Sequence, residues 1–166
     1  MSIIYLHGGV EFDLLGDKFD LPLKTIAYHL SHINRFTGGV GQYSVAQHSV
    51  MVSRMLPDHL KMAGLMHDAT EAALGDVAAP LKRLLPDYQA IENRLQDALD
   101  KRFHIQTRHR QVKEADMRML ATEARDFKLP FDVPGYQPSG SPIKVWSPRI
   151  AEMQFLDTFH ALKGAY

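Results

Sequence analysis

The stretch Leu60-Lys61-Met62-Ala63-Gly64-Leu65-Met66-His67-Asp68-Ala69-Thr70-Glu71-Ala72-Ala73-Leu74, closed by Gly75, decides the fold. Its apolar residues recur at helical spacing and a glycine ends it, so it predicts a helix over 60–74. That helix is apolar enough to be buried, yet it carries His67 and Asp68 inward, where an unpaired carboxylate is costly. Something cationic should meet them.

Working outward, the same helical spacing recurs. Leu23, Ile26, Ala27, Leu30 and Ile33 form one stripe before Thr37-Gly38-Gly39. Ser44 can cap a helix that carries Val45, His48, Val52 and Met55 as far as Pro57. Asp87 can cap a fourth helix with Ile91, Leu95 and Leu99 inward, and Val112 to Phe127 reads as a fifth with Met119 and Leu120 inward. Residues 128–148 hold five prolines together with Gly135 and Gly140, which predicts an irregular loop before a last helix from about Pro148 to Leu162. At the N-terminus, Ile3-Ile4-Tyr5-Leu6, Gly8-Gly9 and Val10-Glu11-Phe12-Asp13-Leu14 read as a small hairpin. The expectation is an all-α helical bundle with a short N-terminal β-hairpin, one domain over 1–166: hairpin 1–20, helical core 23–127, loop and C-terminal helix 128–166.

Composition narrows the function. Hydrophobic residues make up 45% and charged residues 23% of the chain, as in ordinary globular proteins. Lys plus Arg equals 19 and Asp plus Glu equals 19, so no overall field draws the chain to a nucleic-acid polymer or an anionic membrane. Cysteine is absent, which removes disulfides, thiolate nucleophiles and cysteine-ligated zinc. With no leader-like segment and no apolar run near the roughly 20 residues that span a bilayer, the expected location is the cytoplasm.

Four polar groups enter apolar helices: His48, His67, Asp68 and Asp116, the last beside Met117, Met119 and Leu120. Imidazole nitrogens and carboxylate oxygens together suit a divalent metal, with Mn, Co, Zn, Fe and Ni favoured over Mg. Taken singly, a buried histidine is more often a hydrogen-bonded core residue. His29 and His32 carry no such context and can equally face solvent from the first helix. Four ligands leave one or two positions for a water and a phosphate oxygen. Glu71, four residues after His67, shares its helical face and is the candidate to orient or deprotonate that water. Asp76, just past Gly75, can return a carboxyl group to the same pocket, or cap the segment Val77-Ala78-Ala79-Pro80.

The order His48, then His67-Asp68, then Asp116 resembles the HD-domain superfamily of metal-dependent phosphohydrolases. So do Tyr43-Ser44-Val45-Ala46-Gln47-His48-Ser49, and His67-Asp68-Ala69-Thr70-Glu71-Ala72 with Gly75-Asp76. From about Thr25 to Arg125 the chain is most similar to bacterial and phage HD 5'-deoxynucleotidases and phage dATP triphosphohydrolases. The resemblance implies a phosphate clamp at Arg35 and a sugar contact at Phe36, where that family more often has tryptophan and where a core aromatic is the other reading. It also implies phosphate-lining roles for Lys82 and Lys113, and for Asp76 the protonation of the leaving nucleoside oxygen. The expected activity is hydrolysis of 2'-deoxynucleoside 5'-phosphates, as monophosphates or as dATP, by a homo-oligomer, dimeric or larger. Two alternatives stay open: an HD-type phosphodiesterase or cyclic-nucleotide hydrolase, and a non-catalytic nucleotide-binding regulator.

Overall fold

In the computed structural model, which describes residues 2–164, the hairpin strands β1 (Ile3–Leu6) and β2 (Val10–Asp13) pair antiparallel, Ile3 with Asp13 and Leu6 with Val10. Gly8 and Gly9 supply the positive φ values, 82° and 73°, that turn the chain between them. The helices are α1 (Leu23–His32), α2 (Val45–Arg54), α3 (Asp58–Met66), the single turns α4 (Glu71–Leu74) and α5 (Ala79–Lys82), α6 (Pro86–Phe103), α7 (Arg110–Asp126) and α8 (Pro148–Lys163). Ser44 caps α2 by accepting from the Gln47 amide at 3.2 Å, and Ser147 caps α8 through the Ile150 amide. The hairpin, the capped α2, the proline-rich loop and the last helix all match the sequence expectation.

Four details differ from it. The expected continuous helix over 60–74 is two helices, because at Met66 the chain tightens. The Ala69 amide reaches the Met66 carbonyl and the Glu71 amide the Asp68 carbonyl, three residues back instead of four. Helix α1 ends at His32, short of Asn34-Arg35-Phe36, since Asn34 bridges to Ser44 in an extended pairing. Asp87 does not cap α6; it lies in the first turn, behind Pro86, where its charge still favours the positive end of the helix. Asp76 does not cap α5, whose N-cap position is Ala78.

Helix α2 is the axis of the bundle, packed against α1, α3, α7 and α8. One apolar cluster on its α1/α8 side contains Ile26, Leu30, Val50, Leu65 and Phe155; another on its α7 side contains Tyr43, Val52, Leu60, Val112 and Met119. His48 sits on this central helix with no exposed surface. Helix α3 can approach α2 closely because of Gly64: a Cβ there would stand 3.2 Å from Ser53 Cα and would overlap the Leu56 side chain. The Gly64→Ala variant is therefore expected to lose about 1–3 kcal/mol and to push the His67 end of α3 off α2. Its thermal melt would check the first effect and its metal affinity the second.

Candidate metal centre

Buried polar atoms that lack a partner mark where a ligand belongs. Among the described residues they are Arg35 Nε, His48 Nε2, His67 Nε2, Glu71 Oε2, Ser49 Oγ and Arg94 Nε. The first four belong to residues that the sequence had already placed in one site.

The two imidazoles are oriented by their other nitrogens. His48 Nδ1 lies 2.6 Å from Glu123 Oε1, and His67 Nδ1 lies 2.7 Å from the Gly64 carbonyl oxygen. Both of those oxygens only accept, so each Nδ1 must carry a proton and donate it, and Nε2 is the nitrogen left to take either a second proton or a metal ion. Both Nε2 atoms face carboxylates. His48 Nε2 is 3.2 Å from Asp116 Oδ1 and 3.8 Å from Asp68 Oδ2; His67 Nε2 is 3.2 Å from Asp68 Oδ2 and 3.9 Å from Asp116 Oδ1. With neutral rings these contacts would set acceptor against acceptor, so the arrangement calls for positive charge between them, a second proton on the rings or a metal ion. A divalent cation about 2.1 Å from each ligand sets neighbouring ligands about 3.0–3.4 Å apart, from octahedral to tetrahedral geometry, and the shorter contacts, 3.2 Å, fall in that range. Among the described residues, His48, His67 and Asp116 bring one ligand atom each within 4.8 Å of one another. Asp68 stands beside this triad, its Oδ2 also 4.0 Å from an Arg35 terminal nitrogen.

The electrostatics agree with the geometry. Burial alone would raise the Asp116 carboxyl, but His48 and His67 hold it well below the usual carboxylate range. Burial would lower the His67 ring, yet the charges of Asp68 and Asp116 push it well above its ordinary value. The carboxylates thus draw positive charge toward the imidazoles, and a metal ion is a stronger form of that charge than a proton.

A cleft of about 410 Å³ opens over this centre. His67, Asp68, Glu71 and Asp116 line it together with Gln96, Thr107, Arg108 and Lys113. Glu71 is 6% exposed; burial first, then the charges of Asp68 and Asp76, push its carboxyl well above the usual range. The break after Met66 removes the helical-face argument for Glu71, but tertiary packing brings it into the cleft all the same. Asp76 follows Gly75, whose φ of 76° and ψ of 164° are open only to glycine, and burial raises its carboxyl too.

The remaining expected residues divide. Arg35 is nearly buried, with a terminal nitrogen donating to Glu123 Oε2 at 2.8 Å. It begins a strained segment in which Phe36 and Thr37 adopt φ values of 55° and 56°, a region that costs side-chain-bearing residues on the order of 1 kcal/mol or more each. Phe36 is partly exposed, 5.3 Å from the Arg35 guanidinium by ring centroid, and does not line the cleft. Lys113 reaches the outer oxygen of Asp116, Oδ2, at 2.8 Å. Lys82 lies outside the cleft lining and is paired with Glu92 at 2.6 Å.

Sequence reasoning missed Glu123. It is fully buried, seven residues after Asp116 and hence on the same face of α7. Its signal was a carboxylate between the buried Ala121, Thr122 and Ala124. Tyr43, also fully buried, donates its hydroxyl to Glu123 Oε1 at 2.9 Å.

Comparison with known proteins fixes the lineage. No protein-family model matches the sequence. The uncharacterized protein YfdR of Escherichia coli K12 is 44% identical over 133 residues, which covers 78% of this chain and 74% of YfdR. The chain belongs to the YfdR family. An uncharacterized protein of Rhodobacter capsulatus is 33% identical over 107 residues, 57% of this chain; the chain spans about half of that protein, 55%. Among the described residues no helix is long and apolar enough to cross a membrane.

Proposed function

We propose that this protein is an HD-type, metal-dependent phosphohydrolase of 2'-deoxynucleoside 5'-phosphates. The observation that carries the reading is the pair of buried imidazoles, each with Nδ1 held by an acceptor and Nε2 turned toward Asp68 and Asp116. A divalent cation held by His48, His67, Asp68 and Asp116 would acidify a water and neutralise phosphate charge.

The chain's own residues supply the rest. Glu71 keeps a high proton affinity in the cleft, with one oxygen unpartnered, and is suited to take the proton of the attacking water. Asp76, raised by burial, would give its proton to the nucleoside oxygen as the phosphorus–oxygen bond breaks. Arg35, with an unpartnered Nε, has donors left for phosphate oxygens, and Lys113 at the rim adds positive charge. Phe36 stands beside Arg35 and outside the cleft lining, so its contact with the sugar, where an apolar wall leaves a 2'-hydroxyl without a partner, is what the resemblance implies. Release of phosphate from a monophosphate and of triphosphate from dATP break the same type of bond, so one arrangement serves either substrate.

Incubation of the Mn-, Co- or Mg-loaded protein with dAMP, dATP and their ribo counterparts, followed by product separation, tests this. Deoxynucleoside release faster from the deoxy substrates is expected, and no hydrolysis of any deoxynucleotide would sink the reading. The Arg35→Ala variant is expected to raise KM at least about tenfold, the loss of one charged hydrogen bond, while still binding metal.

A further inference from the structure

We infer that Glu123 is a positioning residue that couples the metal centre to the phosphate clamp. It fixes a metal-binding imidazole and the phosphate-binding guanidinium with one carboxylate. The inference rests on the reading of His48 as a ligand and of Arg35 as the clamp.

Three donors from three parts of the chain converge on this fully buried side chain. Oε1 accepts from His48 Nδ1 at 2.6 Å and from the Tyr43 hydroxyl at 2.9 Å; Oε2 accepts from Arg35 at 2.8 Å. The backbone holds the donors in register, since the Arg35 amide bonds the Tyr43 carbonyl and the Val45 amide the Ile33 carbonyl across the Asn34–Ser44 bridge. A carboxylate without exposure is tolerated only when paired and hydrogen-bonded, and here the pairing is shared. Because Oε1 holds a His48 proton on Nδ1, Nε2 is the nitrogen that can take a metal. Because Oε2 anchors one edge of the guanidinium, the other edge is left near Asp68. Asp116 and Glu123 project from one face of α7, so a single helix carries both a ligand and the group that orients another.

The Glu123→Gln variant tests the coupling. An amide cannot accept on both sides; its NH2 must oppose either Arg35 or the His48–Tyr43 pair. Titration calorimetry with Mn is expected to show a loss of about 10–100-fold in affinity, although Glu123 touches no metal. Inorganic phosphate, titrated at saturating Mn, is expected to bind about tenfold more weakly, the scale of one charged hydrogen bond. In an Arg35→Ala background the phosphate loss from Glu123→Gln should vanish while the Mn loss persists. Unchanged Mn affinity, or phosphate losses that simply add, would overturn the inference. If Glu123→Gln does not fold, the nitrogen-15 spectrum of the wild-type imidazoles decides instead: His48 protonated at Nδ1 supports it, and His48 protonated only at Nε2 overturns it. Absence of Mn, Co or Zn binding by the wild type would remove the metal reading itself, whereas wild-type binding matched by Glu123→Gln removes this inference alone.

Discussion

The Glu71→Gln variant is expected to lose about 10²–10⁴-fold in kcat, the usual contribution of a positioned proton-transfer group, and at the same time to melt at a higher temperature when metal-free. Both effects have one cause. Glu71 is a 6% exposed carboxyl with an unpartnered oxygen, raised by burial and by the charges of Asp68 and Asp76. The folded state therefore holds its proton more tightly than the unfolded state. Between the ordinary glutamate value and the raised one, the folded protein carries more protons, so stability falls as pH rises through that window. Glutamine has nearly the same shape and no such charge. The advantage of Glu71→Gln should be absent in acid, below the ordinary glutamate value, and grow toward neutral pH; a gain of about 1 kcal/mol would appear as roughly 2–4 °C in a chain of this size. Calorimetric melts in chelator across pH 4–8, paired with turnover of dAMP and dATP, check it. A melting difference that does not change with pH would show that Glu71 is not a strained carboxyl, and unchanged kcat would remove it from the mechanism.

The fold was legible where the code is local. Ser44 before an apolar helix, the Gly8-Gly9 turn and the proline-rich loop each act within a few residues, and each is found as expected. The candidate metal ligands were legible for a different reason: polar groups in apolar helices are anomalies that only a shared ligand or a hydrogen-bond network explains, and the structure brings His48, His67, Asp68 and Asp116 together. What the sequence hid depends on distant contacts. The break after Met66 accompanies the His67 bond to the Gly64 carbonyl, and periodicity is blind to it because 3₁₀ and α spacing differ little over one turn. Glu123 looks in sequence like one more charge on a helix, and only the convergence of Arg35, Tyr43 and His48 shows why it is buried. The far wall of the cleft, with Gln96 donating to Thr107 at 2.7 Å, joins α6 to the segment before α7. No spacing rule could have announced it.

Replacement of the two imidazoles should separate metal binding from stability. The His67→Ala variant removes a proposed ligand whose other nitrogen bonds a single carbonyl near the end of α3, at a position with 9% side-chain exposure. Its loss should cost Mn affinity more than the 10–100-fold of an outer partner, yet leave a folded protein, since water can reach the vacated space. The His48→Ala variant should lose metal to a similar extent and also melt much lower. It empties a fully buried site on the central helix and takes from Glu123 one of three donors, which leaves a carboxylate without exposure dependent on Arg35 and Tyr43. An under-satisfied buried charge and a cavity together cost on the order of 3 kcal/mol or more. Melting curves in chelator and Mn titrations of both variants read the two quantities apart. Equal melting temperatures would mean that Glu123 does not depend on His48, and retained Mn affinity in either variant would remove that histidine from the metal centre.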